Sequence, residues 1–325
     1  GAPGLPGSGR RVRIGRQHAT ALNNIALLLL CFGLGIALRA SGRLPPGAPA
    51  ALNGFVVNVS LPALTVVTIQ GLSLQPQIAI AALMPWMLFA IGLAFFWGVG
   101  RVLRLPRSTT GALMLTGGLA NTSFVGLPMI ETWYGREYLG IGIVIDQLGS
   151  YLVLSTVGIL VAGICRDATA RVDWRAVARK IAGFAPFVAL VLAFALRPLD
   201  LPDIVLSTLR RLGDTLVPLA LVSVGFQLRL SQIRGRIPVL AIGLGFKLVL
   251  GPALVLLVLV GLLGQSGNVI RVTVFEAAMG SMIGAAIVAM DHDLDPSLVT
   301  LMVGLGIPLS FLTLPCWWWL LERVA

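Results

Sequence analysis

The sequence predicts an all-α polytopic membrane protein with ten membrane-spanning helices. Of its 325 residues, 57% are hydrophobic and only 11% are charged, whereas a typical soluble domain has about 25% charged residues. Nearly the whole chain divides into apolar runs of the roughly 20 residues that a helix needs to cross a bilayer. We therefore expect one membrane domain without a soluble appendage.

Short loops rich in glycine, proline or charged residues separate the predicted spans. The spans cover residues 21–38, 51–72, 78–100, 111–134, 138–164, 181–196, 204–228, 237–263, 269–290 and 297–321. Residues 1–20 form an N-terminal tail. The polar linker 166–180 separates two five-helix halves, residues 21–165 and 181–325.

The formal net charge of +11 comes from arginines spread over short loops. This pattern indicates membrane orientation and no nucleic-acid partner. The most basic loops follow the first, third, fifth and seventh spans, so the positive-inside rule places the linker 166–180 in the cytoplasm. We expect a multi-pass protein of the inner (plasma) membrane, surrounded by lipids, with both termini outside.

The fourth span contains the stretch GGLANTSFVGLP, residues 117–128, which interrupts an apolar run. Its backbone is loosened by residues that disfavour a helix, which are Gly117, Gly118, Gly126 and Pro128. Between them lie the polar residues Asn121, Thr122 and Ser123. An opened helix survives in hydrocarbon only where it is buried in protein or lines a cavity, and there it can hold a ligand. The alternative is a kinked helix whose polar side chains bond to neighbouring helices.

An internal repeat relates the two halves. A shift of 156 residues places Pro218 on Pro62, both predicted to interrupt their helices, and Ala277 on Asn121. The ninth span, EAAMGSMIGAAIVAM, thereby becomes the counterpart of the broken fourth span. Because each half has an odd number of spans, the repeats must be inverted, which is the pattern of secondary transporters.

Ionisable residues inside spans are rare and are functional candidates. The candidates are Asp146 with its neighbour Gln147 in the fifth span, Lys247 in the eighth span and Glu276 in the ninth. Asp146 or Glu276 can bind and release a coupling proton. Lys247 is either part of this site or neutralises one of the two carboxylates as a structural ion pair.

Several motifs together resemble the auxin efflux carrier family, and we identify the chain as a bacterial member. They are LNGFVVNVSLPAL, GGLANTSFVGLPMI, LRRLGDTLVPLALVSVGFQL, FKLVLGP and IPLSFLTLP. The resemblance implies ten helices in two inverted repeats, with the fourth and ninth crossing as broken helices. It also implies a scaffold of spans 1, 2, 6 and 7, a transport domain of spans 3–5 and 8–10, and often a homodimer.

The resemblance assigns Asn121 to contact with a substrate carboxylate, with Thr122 and Ser123 beside it. The ninth span departs from the family pattern, because Met279, Gly280 and Ser281 stand where many relatives carry a proline. The complete set of expected substrate-binding residues is Asn121, Thr122, Ser123, Val125, Met279, Gly280, Ser281 and Met282.

The predicted function is secondary active transport of a small organic anion, an auxin-like or dicarboxylate anion, by an elevator movement. A first alternative is a sodium-coupled symporter of the bile-acid carrier type, with Asn121, Thr122 and Glu276 as cation ligands. A membrane sensor or enzyme is the second. The sequence has no histidine cluster, metal-ligand spacing or nucleophile with a base, so we expect no enzyme, metal or cofactor beyond a coupling H⁺ or Na⁺.

Overall fold

The computed structural model describes residues 26–325 except 28, 74, 168–172, 200 and 228–235. The described residues form helices and no strand, so the all-α prediction is confirmed. The one extended pairing among them is an isolated antiparallel bridge between Ala120 and Ser281. The predicted tail and the start of the first predicted span lie outside the described residues.

In the described part of the chain, five helices are long and apolar enough to cross a membrane, with mean hydropathies from 1.7 to 2.3. They are α2 (Ala48–Gln70), α3 (Gln77–Val102), α6 (Arg136–Arg166), α11 (Ile237–Leu262) and α14 (Pro296–Val324). Each exceeds the roughly 20 residues that span a bilayer. The chain is therefore a multi-pass membrane protein.

The other predicted spans contain shorter helices. They are α1 (Leu29–Ala40), α4 (Arg107–Gly118), α5 (Leu127–Trp133), α8 (Ala185–Leu196), α9 (Asp203–Gly213), α10 (Leu216–Gln227), α12 (Asn268–Ala277) and α13 (Ile283–Asp291). The fourth and ninth predicted spans thus each consist of two helices with non-helical residues between them. That all ten segments cross the membrane stays a prediction.

A further helix, α7 (Trp174–Ala182), lies where the sequence predicts the polar linker and the start of the sixth span. The Asp173 side chain caps it by accepting hydrogen bonds from the backbone N–H groups of Arg175 and Ala176. Such a cap satisfies donors that have no partner inside the helix. The linker therefore contains ordered helical structure between α6 and α8.

Helix α2 packs against α8, α9 and α10. Ser60 shares a 2.7 Å hydrogen bond with Thr215, and Ser223 donates to Asn53 over 2.6 Å. Gly213 lies against Leu64, where an added Cβ would approach within 3.2 Å. Hydroxyl and amide groups of α2 and the α9–α10 segment therefore hold these helices together.

A second group of helices surrounds α4, which packs against α3, α6, α13 and α14. The predicted helix-breaking residues Gly117 and Gly118 are the last residues of α4, and a Cβ at either would collide with Phe96 or Phe89 of α3. These glycines therefore let the end of α4 approach α3 closely. Arg136, at the start of α6, pairs with Asp214 between α9 and α10 and so links the two groups of helices.

The other predicted helix-breaking residues lie at helix starts or inside a helix. Gly126 ends a π-helical turn, Thr122–Gly126, and Pro128 is in the first turn of α5. Pro62 follows a π-helical turn within α2, and the helix continues through it. Pro218 lies in the first turn of α10, where its missing N–H costs no intrahelical bond.

Candidate functional site

The two interrupted segments meet in the interior of the molecule. The first break (residues 119–121) separates α4 from the turn Thr122–Gly126, and the second break (residues 278–282) separates α12 from α13. The backbone N–H of Asn121 donates to the Gly280 carbonyl over 2.9 Å, and the backbone N–H of Met282 donates to the Leu119 carbonyl over 3.2 Å. Backbone groups that leave the helical pattern thus satisfy one another, as an apolar surrounding requires.

The Asn121 side chain bridges the two breaks. Its Nδ2 donates to the Ser281 carbonyl over a long 3.4 Å, and its Oδ1 accepts from the Phe124 amide over 3.2 Å. Only 1% of Asn121 is exposed. The residue therefore caps the turn Thr122–Gly126, while its bond to the second break is weak enough to be exchanged.

The second break contains glycine because α14 touches it. A Cβ atom at Gly280 would lie 2.9 Å from both the Gly306 carbonyl oxygen and the Ile307 Cα. Backbone atoms cannot move aside as a side chain can, so residue 280 must be glycine for this contact. Close helix packing thus explains the glycine at position 280.

Polar groups at the second break lack hydrogen-bond partners among the described residues. One is the buried Ser281 Oγ, which lies beside Gly306, where an added Cβ would be 3.3 Å away from it. Met282 provides no side-chain cap for α13. The first N–H groups of a helix have no partner inside it, so this end of α13 carries unused hydrogen-bond donors.

Asp146 lies at a π-helical turn of α6 and faces the first break. Thr122 Oγ1 donates to its Oδ1 over 2.6 Å, and Ser123 Oγ donates to the same oxygen. Asp146 is 2% exposed. The hydroxyls of Thr122 and Ser123, which we expected to contact substrate, are therefore used by this carboxylate.

Glu276 lies in the last turn of α12 and is fully buried. Within the described part of the chain, neither oxygen of its carboxyl group has a hydrogen-bond partner. Space for this group comes from glycine: a Cβ at Gly126 would collide with the carboxyl group, and one at Gly142 would come within 3.4 Å. Asp146 and Lys247 interact electrostatically with it. The first break, α6 and α12 thus enclose a carboxyl group without a bound partner.

Lys247 is fully buried in α11, and its Nζ donates to the Ala277 carbonyl over 2.8 Å. This carbonyl ends α12, where the helix dipole favours a positive charge. The described residues form no Lys247 ion pair within 4.0 Å. Lys247 therefore fixes the end of α12 through its backbone, beside Glu276.

Gln147 points away from the breaks. Its Nε2 donates to Thr65 Oγ1 of α2 over 3.0 Å, and its buried Oε1 has no partner. Of the expected apolar contacts, Val125 and Met279 are fully buried, while Met282 is partly exposed. The geometry thus brings Asn121, Gly280, Ser281 and Met282 together and separates Gln147 from them.

Sequence reasoning missed three contributors to this region. Gly142 makes room for Ile130 and Leu127 beside Glu276, Gly306 makes room for Leu244 and Ser281, and the Ala277 carbonyl receives Lys247. Small residues on transmembrane helices commonly indicate close packing, which was the signal available for the two glycines. A backbone carbonyl has no sequence signal of its own.

A cavity of about 890 Å³ opens beside the second break and reaches Ile283, the first residue of α13. Its polar wall contains Arg39, Asn53 and Gln227. Its apolar wall belongs to α13 and α14 and comprises Ile283, Ala286, Ile287, Met290, Val299 and Val303. Arg39 is the only charged residue among the described lining residues.

Residues 20–318 match the family described as membrane transport protein. An uncharacterised transporter of Methanothermobacter thermautotrophicus is 29% identical over 307 residues, which are 92% of this chain and 96% of that protein. The uncharacterised transporter MJ1031 of Methanocaldococcus jannaschii is 24% identical over 305 residues, 91% of this chain and 97% of that protein.

Both relatives come from archaea, and the bacterial origin stays a prediction. The match covers nearly the whole chain, and the two relatives extend over the same length. The resemblance indicated by the motifs is confirmed: the chain belongs to this family of membrane transport proteins, the auxin efflux carrier family.

Proposed function

We propose that this protein is a secondary active transporter of small organic carboxylates that works by elevator-type alternating access. The observation that carries the proposal is the meeting of the two breaks through Asn121, Gly280 and Ser281. Inverted repeats with broken helices at corresponding positions are typical of secondary transporters, and their binding sites lie at the breaks.

The chemistry of the breaks suits a carboxylate that must be released again. The start of α13 offers backbone N–H groups and a partial positive charge, which attract an anion by about 1 to 2 kcal/mol when partly buried. Ser281 Oγ and Asn121 Nδ2 add neutral donors. A site without a direct cation binds weakly and reversibly, as a carrier requires.

The cavity supports a route to this site from one side. Arg39 supplies the positive charge at its wall, while Asn53 and Gln227 supply amide groups. Ile283 belongs both to the cavity lining and to the start of α13. We propose that substrate enters here in the present conformation and that the elevator movement exposes the same site to the opposite side.

The proposed mechanism requires two groups of helices that move relative to each other. The scaffold comprises α1, α2 and α8–α10, and the transport domain comprises α3–α6 and α11–α14, with ten crossings in all. Packing of α2 against α8, α9 and α10 supports a separate scaffold. We further propose a homodimer in the inner membrane with both termini outside.

Coupling is proposed to involve the buried carboxyl groups of Asp146 and Glu276. The unpartnered oxygens of Glu276 are suited to a proton, and they equally favour the second candidate, a sodium-coupled symporter. Sodium would take ligands from Asn121, Thr122 and Glu276. Uptake into proteoliposomes is measured with and without sodium at fixed pH, and then over a range of pH without sodium. Dependence on sodium supports the symporter, and dependence on pH alone supports proton coupling.

The substrate proposal is tested by a binding screen of organic carboxylates on the purified protein, followed by counterflow in proteoliposomes. Asn121→Ala is expected to weaken binding of the best carboxylate by about tenfold or more, because a hydrogen bond to a charged group is worth roughly 1.5 to 3 kcal/mol. The protein should still fold, because the lost cap costs only about 1 kcal/mol.

The matched control is Asn58→Ala in α2, since Asn58 is exposed and donates only to the Gly54 carbonyl. This variant should bind and exchange carboxylate like the wild type. Unchanged affinity of Asn121→Ala would refute the assignment of Asn121. Absence of counterflow with any bound carboxylate would refute transport and leave a fixed binding pocket.

A further inference from the structure

Helix α7 has two chemically different faces. Trp174, Val177 and Ile181 recur at helical spacing on one side, and Arg175 and Arg179 lie four residues apart on another. Val177 is buried, and α7 packs against the part of α6 around Leu154–Gly158. Trp174 remains 55% exposed. The apolar side is therefore only partly covered by protein.

The position of α7 in the chain ties it to the membrane surface. It lies between α6, which ends at Arg166, and the apolar helix α8. A charged arginine in hydrocarbon is costly, whereas tryptophan is enriched at the interface between hydrocarbon and water. A short helix with exposed Trp174 and exposed arginines meets both conditions only at the level of the lipid headgroups.

We propose that α7 is an interfacial helix that binds the headgroups of anionic phospholipids through Arg175 and Arg179. The helix sequence WRAVARKIA contains three basic residues and no acidic one. Asp173, which precedes the helix in sequence, caps its first turn. The charged residues of α7 itself are therefore all basic, and the exposed Arg175 and Arg179 match the negative charge of an anionic leaflet.

Helix α9 provides an internal comparison, since it is also amphipathic and carries Arg210 and Arg211. Its arginines lie in the last turn, where they complement the helix dipole, and Asp203 lies in its first turn. The net positive charge of α9 is therefore smaller, and α9 packs along α2. We expect anionic-lipid selectivity at α7 and none at α9.

The proposal is tested on the full-length protein in nanodiscs of phosphatidylcholine with or without phosphatidylglycerol. Native mass spectrometry counts the phosphatidylglycerol that the released protein retains. The double variant Arg175→Gln and Arg179→Gln should lose retained phosphatidylglycerol by roughly tenfold relative to the wild type. The matched control, Arg210→Gln with Arg211→Gln, should retain it like the wild type.

A third variant, Arg175→Lys with Arg179→Lys, keeps both charges and should keep the lipid. Retention should fall with increasing salt, because screening weakens attraction between exposed charges. Equal retention of phosphatidylglycerol by the Gln variant and the wild type would overturn the proposal and would favour an acidic protein partner for this face. Equal losses in the α7 and α9 variants would also overturn it, since the lipid would then respond to net charge alone.

Discussion

Both breaks are short non-helical segments between two helical segments. They differ in whether their polar side chains have hydrogen-bond partners. At the first break, Asn121 caps the following turn, and Thr122 and Ser123 donate to Asp146. At the second break and in the last turn of α12 before it, Ser281 Oγ and both oxygens of Glu276 find no hydrogen-bond partner among the residues described, and α13 begins without a side-chain cap.

An unpartnered buried polar group costs free energy and requires an explanation. The comparison therefore suggests that the two breaks have different roles. The polar side chains of the first break stabilise the fold through their hydrogen bonds, whereas the second break holds the groups that are available to a ligand or a coupling ion. Variants at each break test these roles.

The largest effect on stability is expected at the first break. Asp146→Ala leaves the buried hydroxyl of Thr122 and the partly buried hydroxyl of Ser123 without their acceptor, and an unsatisfied buried group costs about 1 to 3 kcal/mol. We expect a loss of roughly 3 kcal/mol, measured by thermal unfolding in detergent. Asp291→Ala, at an exposed aspartate, is the control and should change stability by less than about 0.5 kcal/mol.

A smaller loss is expected where the second break touches α14. Gly280→Ala places a Cβ against backbone atoms of Gly306 and Ile307, and such overpacking costs about 1 to 3 kcal/mol. Gly245→Ala in α11 is the matched control, because nothing lies within 4 Å of its Cβ position. If both variants unfold at the same temperature, the close contact at Gly280 does not determine the second break.

The smallest effect on stability is expected from Glu276→Gln. No hydrogen bond is lost and the side-chain volume is conserved, so stability should change by less than about 0.5 kcal/mol. Uptake, in contrast, should lose its dependence on pH or on sodium. The control Glu137→Gln, at an exposed residue, should keep that dependence. A Glu276→Gln variant with wild-type ion dependence would remove Glu276 from coupling.

Much of the architecture follows from the sequence, because its determinants are local. Apolar runs identify the long helices, and the stretch GGLANTSFVGLP identifies the first break. The 156-residue shift aligns Asn121 with Ala277, although the backbone partner of Asn121 is Gly280, three residues later. A repeat relates segments but does not determine which atoms meet.

The site was less predictable because its details depend on tertiary contacts. Thr122 and Ser123 looked like substrate donors, but Asp146, more than twenty residues away, uses their hydroxyls. The polar composition of residues 166–180 predicts a linker, although Asp173 followed by WRAVARKIA carries both a capping residue and an amphipathic pattern. The helical pattern of α7 is present in the sequence. The hydrogen bonds from Thr122 and Ser123 to Asp146, in contrast, depend on how α6 packs against the first break.

The central claim is that the unpartnered groups of the second break bind the substrate carboxylate, and Ser281→Ala tests it most directly. Ser281 Oγ makes no hydrogen bond with any described residue, so its removal should not lower the unfolding temperature. Calorimetric titration of the best carboxylate should show about fivefold to tenfold weaker binding than the wild type. Wild-type affinity in a folded Ser281→Ala protein would contradict the account.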